Sequence, residues 1–202
     1  MNKGRLYIVS APSGAGKTSL LAEVCKALPE LKVAVSHTTR QIRPGEEEGV
    51  HYHFVSQDDF EVMINRGEFI EYAGVFGNFY GTTRKSVDCL IEVGNSVVLE
   101  IDWQGARQVR QSYPDAITIF ILPPSVDILE DRLRSRGQDT EEVIAKRMSE
   151  AKNEMSHYSE YSYLVINDDM QQATTQLINI FTHPEQYQAP ESEVLDELLG
   201  SL

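Results

Sequence analysis

The feature that most limits what this chain can fold into is the run Ala11-Pro-Ser-Gly-Ala-Gly-Lys-Thr18. It is entered from a short apolar segment, Leu6 to Ser10. It is left through a helical pattern in which Leu21, Val24, Cys25 and Leu28 recur at i, i+3, i+4 and i+7 until Pro29 stops it. A strand that turns through glycines into an amphipathic helix is a building unit of α/β folds. The same alternation returns later. Ser96 to Ile101, Ile117 to Leu122 and Tyr163 to Ile166 read as buried strands, and Val126 to Arg136 and Glu141 to Ser156 as charged helices broken at Gly137. The expectation is an α/β fold around a central, mostly parallel sheet.

The eight residues Ala11, Pro12, Ser13, Gly14, Ala15, Gly16, Lys17 and Thr18 also have a chemistry. They match the phosphate-binding P-loop except that Ala11 stands where the first glycine is usual, and the flanking strand and helix are those the motif requires. A ring of backbone N–H groups and the positive end of the helix face one phosphate chain. Gly14 and Gly16 allow backbone conformations that a Cβ would obstruct. Lys17 supplies a mobile charge for the β- and γ-phosphates, and the Thr18 hydroxyl a ligand for Mg²⁺. A triphosphate site of this kind leaves two readings open: a phosphotransferase with an acceptor pocket, or a GTPase switch. Asp102-Trp-Gln-Gly105 has the D-x-x-G form of a switch element, but no N-K-x-D guanine-reading motif occurs, and Asn167-Asp-Asp169 has the wrong form for one.

Composition narrows the partners. With 18 Lys and Arg against 31 Asp and Glu, the net charge is −13, which repels a phosphodiester backbone and argues against nucleic acid. Small anions respond to local donors and remain eligible. No stretch approaches the roughly 20 apolar residues of a membrane span, and the run Leu6 to Val9 is too short for the core of a secretion signal. The two cysteines, Cys25 and Cys89, make no framework or C-x-x-C pair. A cytoplasmic protein with no membrane partner is expected.

Residues from about 36 to 90 interrupt the alternation with clustered aromatics and glycines, as in short antiparallel strands with turns, Gly77-Asn78 among them. They read as an inserted substrate-binding subdomain. The end of the chain, residues 185–202, carries five acidic residues and no Lys or Arg. Its Val194, Leu195, Leu198, Leu199 and Leu202 would share one face of a helix. Such a tail is either frayed or locally docked, or it makes a subunit contact, so a homo-oligomer stays open.

Several segments together carry a specific resemblance. Ser36 to Phe54, with Thr38-Thr-Arg40, Arg43-Pro-Gly-Glu46 and Tyr52, is similar to the GMP-binding region of guanylate kinases. Glu68 to Glu71, Asn78-Phe-Tyr-Gly81, Glu100 to Gly105 and Ile166 to Asp169 follow in the order and spacing of that family. The chain thus resembles the bacterial type of guanylate kinase, a nucleoside monophosphate kinase, over roughly residues 4 to 183. The resemblance implies a P-loop NTPase fold spanning residues 1–184, with a core of about 1–35 and 91–184. A GMP-binding insertion of about 36–90 and a helical lid of about 125–156 complete it.

It also implies transfer of the γ-phosphate of ATP to GMP, with dGMP as a further acceptor. The products are ADP and GDP, the setting purine nucleotide metabolism and GMP recycling, and the cofactor Mg²⁺. Glu71 is then the carboxylate that accepts from guanine N1–H and the 2-amino group, a forked pairing that adenine cannot return. Ser36 and Thr82 match hydroxyls that contact the base, Arg40 and Arg43 the pair that clamps the GMP phosphate, and Tyr52 and Tyr80 the phenols that bond it. Arg136 and Arg147 match lid arginines that reach the phosphates, with Arg132 assisting. Glu100 and Asp102 fall at the GMP side and could orient Mg²⁺ waters or Lys17, and Asn167 falls on the adenine side. Lys17, Arg40, Arg136 and Arg147 are the expected catalytic set. One alternative from another class is a non-catalytic guanylate-kinase-like interaction module. Such modules characteristically lose P-loop or acceptor residues that are intact here.

Overall fold

The computed structural model of the protein describes residues 4–75, 77–135 and 140–200, and of Glu197 and Leu199 the backbone alone. In chain order the elements are β1 (Leu6–Ser10), α1 (Lys17–Ala27), β2 (Leu31–Val33), β3 (His37–Thr38), β4 (His53–Phe54), α2 (Gln57–Asn65), β5 (Phe69–Val75) and β6 (Asn78–Thr83). There follow α3 (Arg84–Glu92), β7 (Ser96–Glu100), α4 (Trp103–Ser112), β8 (Ile117–Leu122), α5 (Val126–Ser135), α6 (Glu141–Met155), β9 (Tyr163–Ile166), α7 (Met170–Thr182) and α8 (Ser192–Leu199).

The chain packs as two compact units. One comprises the segment up to Ile8 and Glu30–Ile117; the other comprises Val9–Pro29 and the chain from Thr118 onward. Strand β1 contributes to both. The central sheet runs β2-β7-β1-β8-β9, and the β2–β7 and β8–β9 pairs are parallel. Its inner strands are unbroken apolar runs, Leu6–Val9, Val97–Leu99 and Ile119–Leu122, all buried. That is the pattern of parallel strands covered on both faces, and it is why they could be read from sequence.

The first unit carries a second sheet of order β4-β3-β6-β5. Strands β5 and β6 form an antiparallel hairpin closing at Val75 and Asn78, with Gly77 at φ +76° in the turn. Strand β3 pairs antiparallel with β6 but parallel with β4. Here the expectation of purely antiparallel strands needs correction. The segment also holds α2 and α3, which the apolar pattern did not announce because α2 buries only Phe60 and α3 only Val87. Their polar signals are N-caps: Ser56 accepts from the Asp59 N–H and Thr83 from that of Ser86. Phe60 stacks against Phe69 and Phe79, with ring centroids 4.5 and 5.5 Å apart, and forms the small core of this sheet. Helix α4 lies along β5. The Gln108 amide donates to Tyr72 O at 2.7 Å and accepts from Tyr72 N at 3.1 Å, so one side chain completes the outer edge of β5 as a strand would.

In the second unit α1 buries Leu20, Leu21 and Val24 and packs on α7, which buries Ala173, Leu177, Ile180 and Phe181. Each fully buried aliphatic of this kind stabilises the fold by roughly 1.5–3 kcal/mol. Cys25 and Leu28, expected in the same stripe, are only half-buried. Helices α5 and α6 pack together over Leu129, Leu133, Ile144 and Met148. After α7 the chain returns along β9, where the Tyr187 hydroxyl accepts from Leu164 N at 2.8 Å and donates to Leu164 O at 3.0 Å. In α8 Leu198 is buried while Val194 is exposed, so the helix turns one edge inward. Leu202, expected on that face, lies outside the described residues.

Candidate active site

In the second unit the loop between β1 and α1 is shaped by its glycine backbone. Gly14 and Gly16 adopt φ of +96° and +90°, and Gly16 caps α1 in the left-handed conformation without any side-chain cap. A substituent would be strained at both positions and would also lack room: a Cβ on Gly14 would meet Leu129 and Leu133 at 3.0 Å, and one on Gly16 would meet the Asn167 amide nitrogen at 2.5 Å. The loop turns on an Ala15 N–H to Pro12 O bond of 3.1 Å and then enters α1, whose first residues, Lys17 and Thr18, are half-buried and exposed. The N-terminus of α1 thus opens directly from the glycine loop, and a helix N-terminus is the standard place for binding phosphate.

Three side chains hold this loop. Asn167, 3% exposed, donates from its amide to Ala15 O at 2.6 Å. Its own carbonyl accepts from Arg132 at 3.0 Å. Its amide nitrogen faces the loop backbone. From α6, Arg147 donates to the Ser13 hydroxyl at 2.6 Å and Glu154 accepts from Ser13 N at 3.2 Å. These residues stand seven apart, two helical turns, and so share one face of α6. Glu154 escaped the sequence reading because an acidic residue on a charged helix gives no signal of what it touches. Arg134, the middle arginine of the Arg132-Leu-Arg-Ser-Arg136 run, pairs with Glu130 and Glu141 on the exposed surface. Arg136 lies outside the described residues.

The first unit builds its site from side chains. Glu71 is 3% exposed, and its Oε1 accepts from Thr82 N at 2.8 Å. Thr82 and Ser36 share a hydroxyl–hydroxyl bond of 2.9 Å. Strand register explains the grouping: Glu71 pairs with Thr82, and Tyr80 lies two residues from Thr82 on the same side of β6. Thr38 and Thr39 lock the neighbouring backbone. Thr38 donates to Phe79 O at 3.0 Å, and Thr39 accepts from Phe79 N at 2.9 Å, which fixes Tyr80.

Around Tyr80 the charged groups gather. Arg40 donates to both oxygens of Glu46, at 2.7 and 3.0 Å, and to Gln41 O at 2.7 Å. Its guanidinium lies 5.4 Å from the centre of the Tyr52 ring, and the rings of Tyr52 and Tyr80 meet edge-on at 5.8 Å. The paired side chains of Arg40 and Glu46 are only 12% and 19% exposed, so the fork is shielded from bulk water. The hydrogen bonds to Arg40 hold the Glu46 carboxyl below the usual carboxylate value, and the same bonds raise Arg40. Burial, with the negative charge of Glu100, pushes the Tyr52 phenol up to about 12, so it remains a hydrogen donor at any physiological pH. Glu46 also accepts from Arg43 N at 2.8 Å, while the Arg43 side chain is exposed. The sequence marked Glu46 as part of a motif but not as the partner of Arg40; only the fold of that loop brings them together.

Other residues marked in the sequence make the following contacts. Asp102 caps α4, accepting from Gly105 N at 2.9 Å with one oxygen and from the Gln104 amide at 3.0 Å with the other. The D-x-x-G segment is therefore a helix start. Half-buried Glu100 ends β7. His51 accepts from Glu47 N, and His53 pairs with Glu48. Trp103 packs under Arg107, whose guanidinium lies 4.6 Å from its ring centre.

Comparison with known proteins agrees with this geometry. The guanylate kinase family model matches residues 3–184. A guanylate kinase of Vibrio parahaemolyticus is 61% identical over 175 residues, covering 86% of this chain and 84% of the relative. That of Escherichia coli K12 is 53% identical over 204 residues, covering 100% and 99%. Among solved structures, guanylate kinase from Anaplasma phagocytophilum superposes with a TM-score of 0.73 at 32% identity, covering 97% of this chain and 95% of that one. A phosphate loop of intact form in one unit, a buried carboxylate with paired hydroxyls in the other, and these likenesses along nearly the whole length agree: the chain belongs to the guanylate kinase family.

Proposed function

We propose that the chain transfers the γ-phosphate of ATP to GMP, giving ADP and GDP, with the loop Ala11–Thr18 holding the donor and the Glu71 cluster reading the acceptor. The observation that carries this reading is the buried Glu71 carboxylate, set beside the Thr82 and Ser36 hydroxyls. Guanine offers two adjacent donors, N1–H and the 2-amino group, to such an acceptor; adenine offers none there. A buried acceptor left without its donors is strongly disfavoured, so a site of this kind can discriminate by about 10⁴–10⁵.

The acceptor oxygen of GMP is already an oxyanion, so transfer needs charge stabilisation and alignment more than a base. Backbone N–H groups of the loop and Lys17 take the charge of the donor phosphates, and Arg147, held at Ser13, reaches the same chain. Arg40 and the phenols of Tyr52 and Tyr80 bind the GMP phosphate, Arg43 joins from the exposed loop, and the family resemblance adds Arg136, which lies outside the described residues. Asn167 acts through the loop by holding Ala15. Mg²⁺ bound to ATP would neutralise charge on the transferred phosphate. The exposed Thr18 hydroxyl suits it, since Mg²⁺ at such sites takes one or two protein oxygens and otherwise phosphate and water. Among the described residues no group of three or more His, Cys, Asp or Glu could hold a metal by itself. No helix among them is long and apolar enough to cross a membrane. Free nucleotides in the cytoplasm are the proposed substrates.

The test is ADP release measured with GMP, dGMP, AMP, CMP, UMP and dTMP as acceptors. Turnover with GMP far above AMP is expected. Equal turnover with all acceptors, or release of phosphate with none present, overturns the assignment.

A further inference from the structure

Gly105 is a glycine with no backbone reason to be one. It lies in the first turn of α4, in a conformation any residue adopts, and glycine is the least favourable helix residue after proline. It is buried, and the reason is on its open side. A Cβ built there would stand 2.6 Å from Glu71 Oε2 and 3.3 Å from the carboxyl carbon, well inside van der Waals contact. The carboxylate therefore occupies the volume that any other residue at this position would fill.

Other contacts fix the carboxylate and the strand that carries it. Thr82 N binds Oε1. Gln108, three residues after Gly105 and so on the same face of α4, holds both backbone groups of Tyr72, the residue next to Glu71. Asp102 fixes the start of the helix by binding Gly105 N. Helix α4 is thus pinned at its first turn and along β5, and its surface at Gly105 is the wall against which the carboxylate rests.

We infer that Gly105 is a positioning residue for base selection: by lacking a side chain it lets the Glu71 carboxylate seat against α4 in the plane where guanine N1–H and the 2-amino group are read together. The inference rests on the reading of Glu71 as the base acceptor. A methyl group at position 105 would push Oε2 away from the helix while Thr82 still holds Oε1, twisting the carboxylate out of the base plane. Misplacements of about 1 Å at a reacting or reading group cost about 10²-fold in comparable sites.

The experiment compares GMP with IMP, which keeps N1–H and O6 but lacks the 2-amino group. In Gly105→Ala we expect KM for GMP to rise, the GMP-over-IMP preference in kcat/KM to fall by at least about tenfold, and KM for ATP to stay as in the parent. A purely structural role would lower thermal stability and total activity but leave the GMP/IMP ratio unchanged, and that result overturns the inference. The double variant Gly105→Ala with Glu71→Asp separates the two further. Shortening the side chain withdraws the carboxylate from α4, so the added methyl should have little further effect in that background; full additivity overturns the inference. Glu71→Gln reports on the underlying reading. If it leaves both the GMP/AMP and GMP/IMP preferences intact, Glu71 is not the base acceptor. If it abolishes them while Gly105→Ala leaves them intact, only the role of Gly105 falls.

Discussion

On the proposed function, two groups of residues solve the same problem, holding a phosphorylated nucleotide, in opposite ways. The donor loop in the second unit is backbone: its anion-binding groups are N–H groups presented by a left-handed turn at Gly14 and Gly16, and side chains such as Asn167 and Arg147 act as struts. The acceptor cluster in the first unit is side chain: Glu71, Thr82, Ser36, Arg40 and Tyr52, each from a different place in the chain. Backbone presents the same groups whatever ligand arrives, which suits a phosphate chain common to all triphosphates. Side chains differ in shape and in donors, which suits a base that must be told from its relatives. On that reading, generality and selectivity fall to separate units.

The sharpest way to break this comparison is Lys17→Ala. It should lower kcat by about 10³-fold or more, while calorimetry shows GMP binding to the free enzyme unchanged; a parallel loss of GMP binding would mean that the two functions are not separable. Next in size, Glu71→Gln should reduce the GMP-over-AMP preference by about 10²-fold or more, with KM for ATP unaltered, as read from acceptor competition. Asn167→Ala should raise KM for ATP by about tenfold and destabilise the protein by roughly 1–3 kcal/mol, because Ala15 O is left buried without its donor. An equal rise in KM for GMP would count against its role as a strut of the donor loop alone.

The smallest effect is in acid. The Glu46 carboxyl is held below its ordinary value of 4.5, first by its hydrogen bonds to Arg40. A lowered carboxylate stabilises the fold above the unfolded value and ceases to do so as pH falls through the folded one. The stability gap between the parent and Glu46→Gln should therefore be constant at neutral pH and close only as the solution is taken below that range. A gap that closes already near pH 7 would show that the Arg40 fork is not what Glu46 contributes.

The same contrast decides what could be read before the fold was known. A loop made of backbone needs its glycines at fixed spacing, so Gly14, Gly16 and Lys17 announced it, as the unbroken apolar runs announced β1, β7 and β8. The acceptor cluster announced itself only through its likeness to a family, since one glutamate or one threonine in a strand carries no label. Least legible were the residues whose value lies in a contact: Glu46 as the partner of Arg40, Glu154 on Ser13, Gly105 under Glu71. The bond from Asn167 to Ala15 O was equally unannounced, since a lone Asn after a strand does not say what it will touch. Helices α2 and α3 were missed because each buries a single residue, and a helix docked by one side chain leaves no periodic trace.

Tyr187 has a consequence of a different kind. Strand β9 is the last strand of the central sheet, and in a parallel pair alternate residues turn their N–H and C=O outward. Leu164 is such a residue, and one phenol takes both of its groups. A strand from another molecule approaching this border would find its first anchoring point already taken. Shortening the chain before residue 187 should therefore leave turnover unchanged, free the outward N–H and C=O of Leu164, and make a concentrated solution prone to associate along β9.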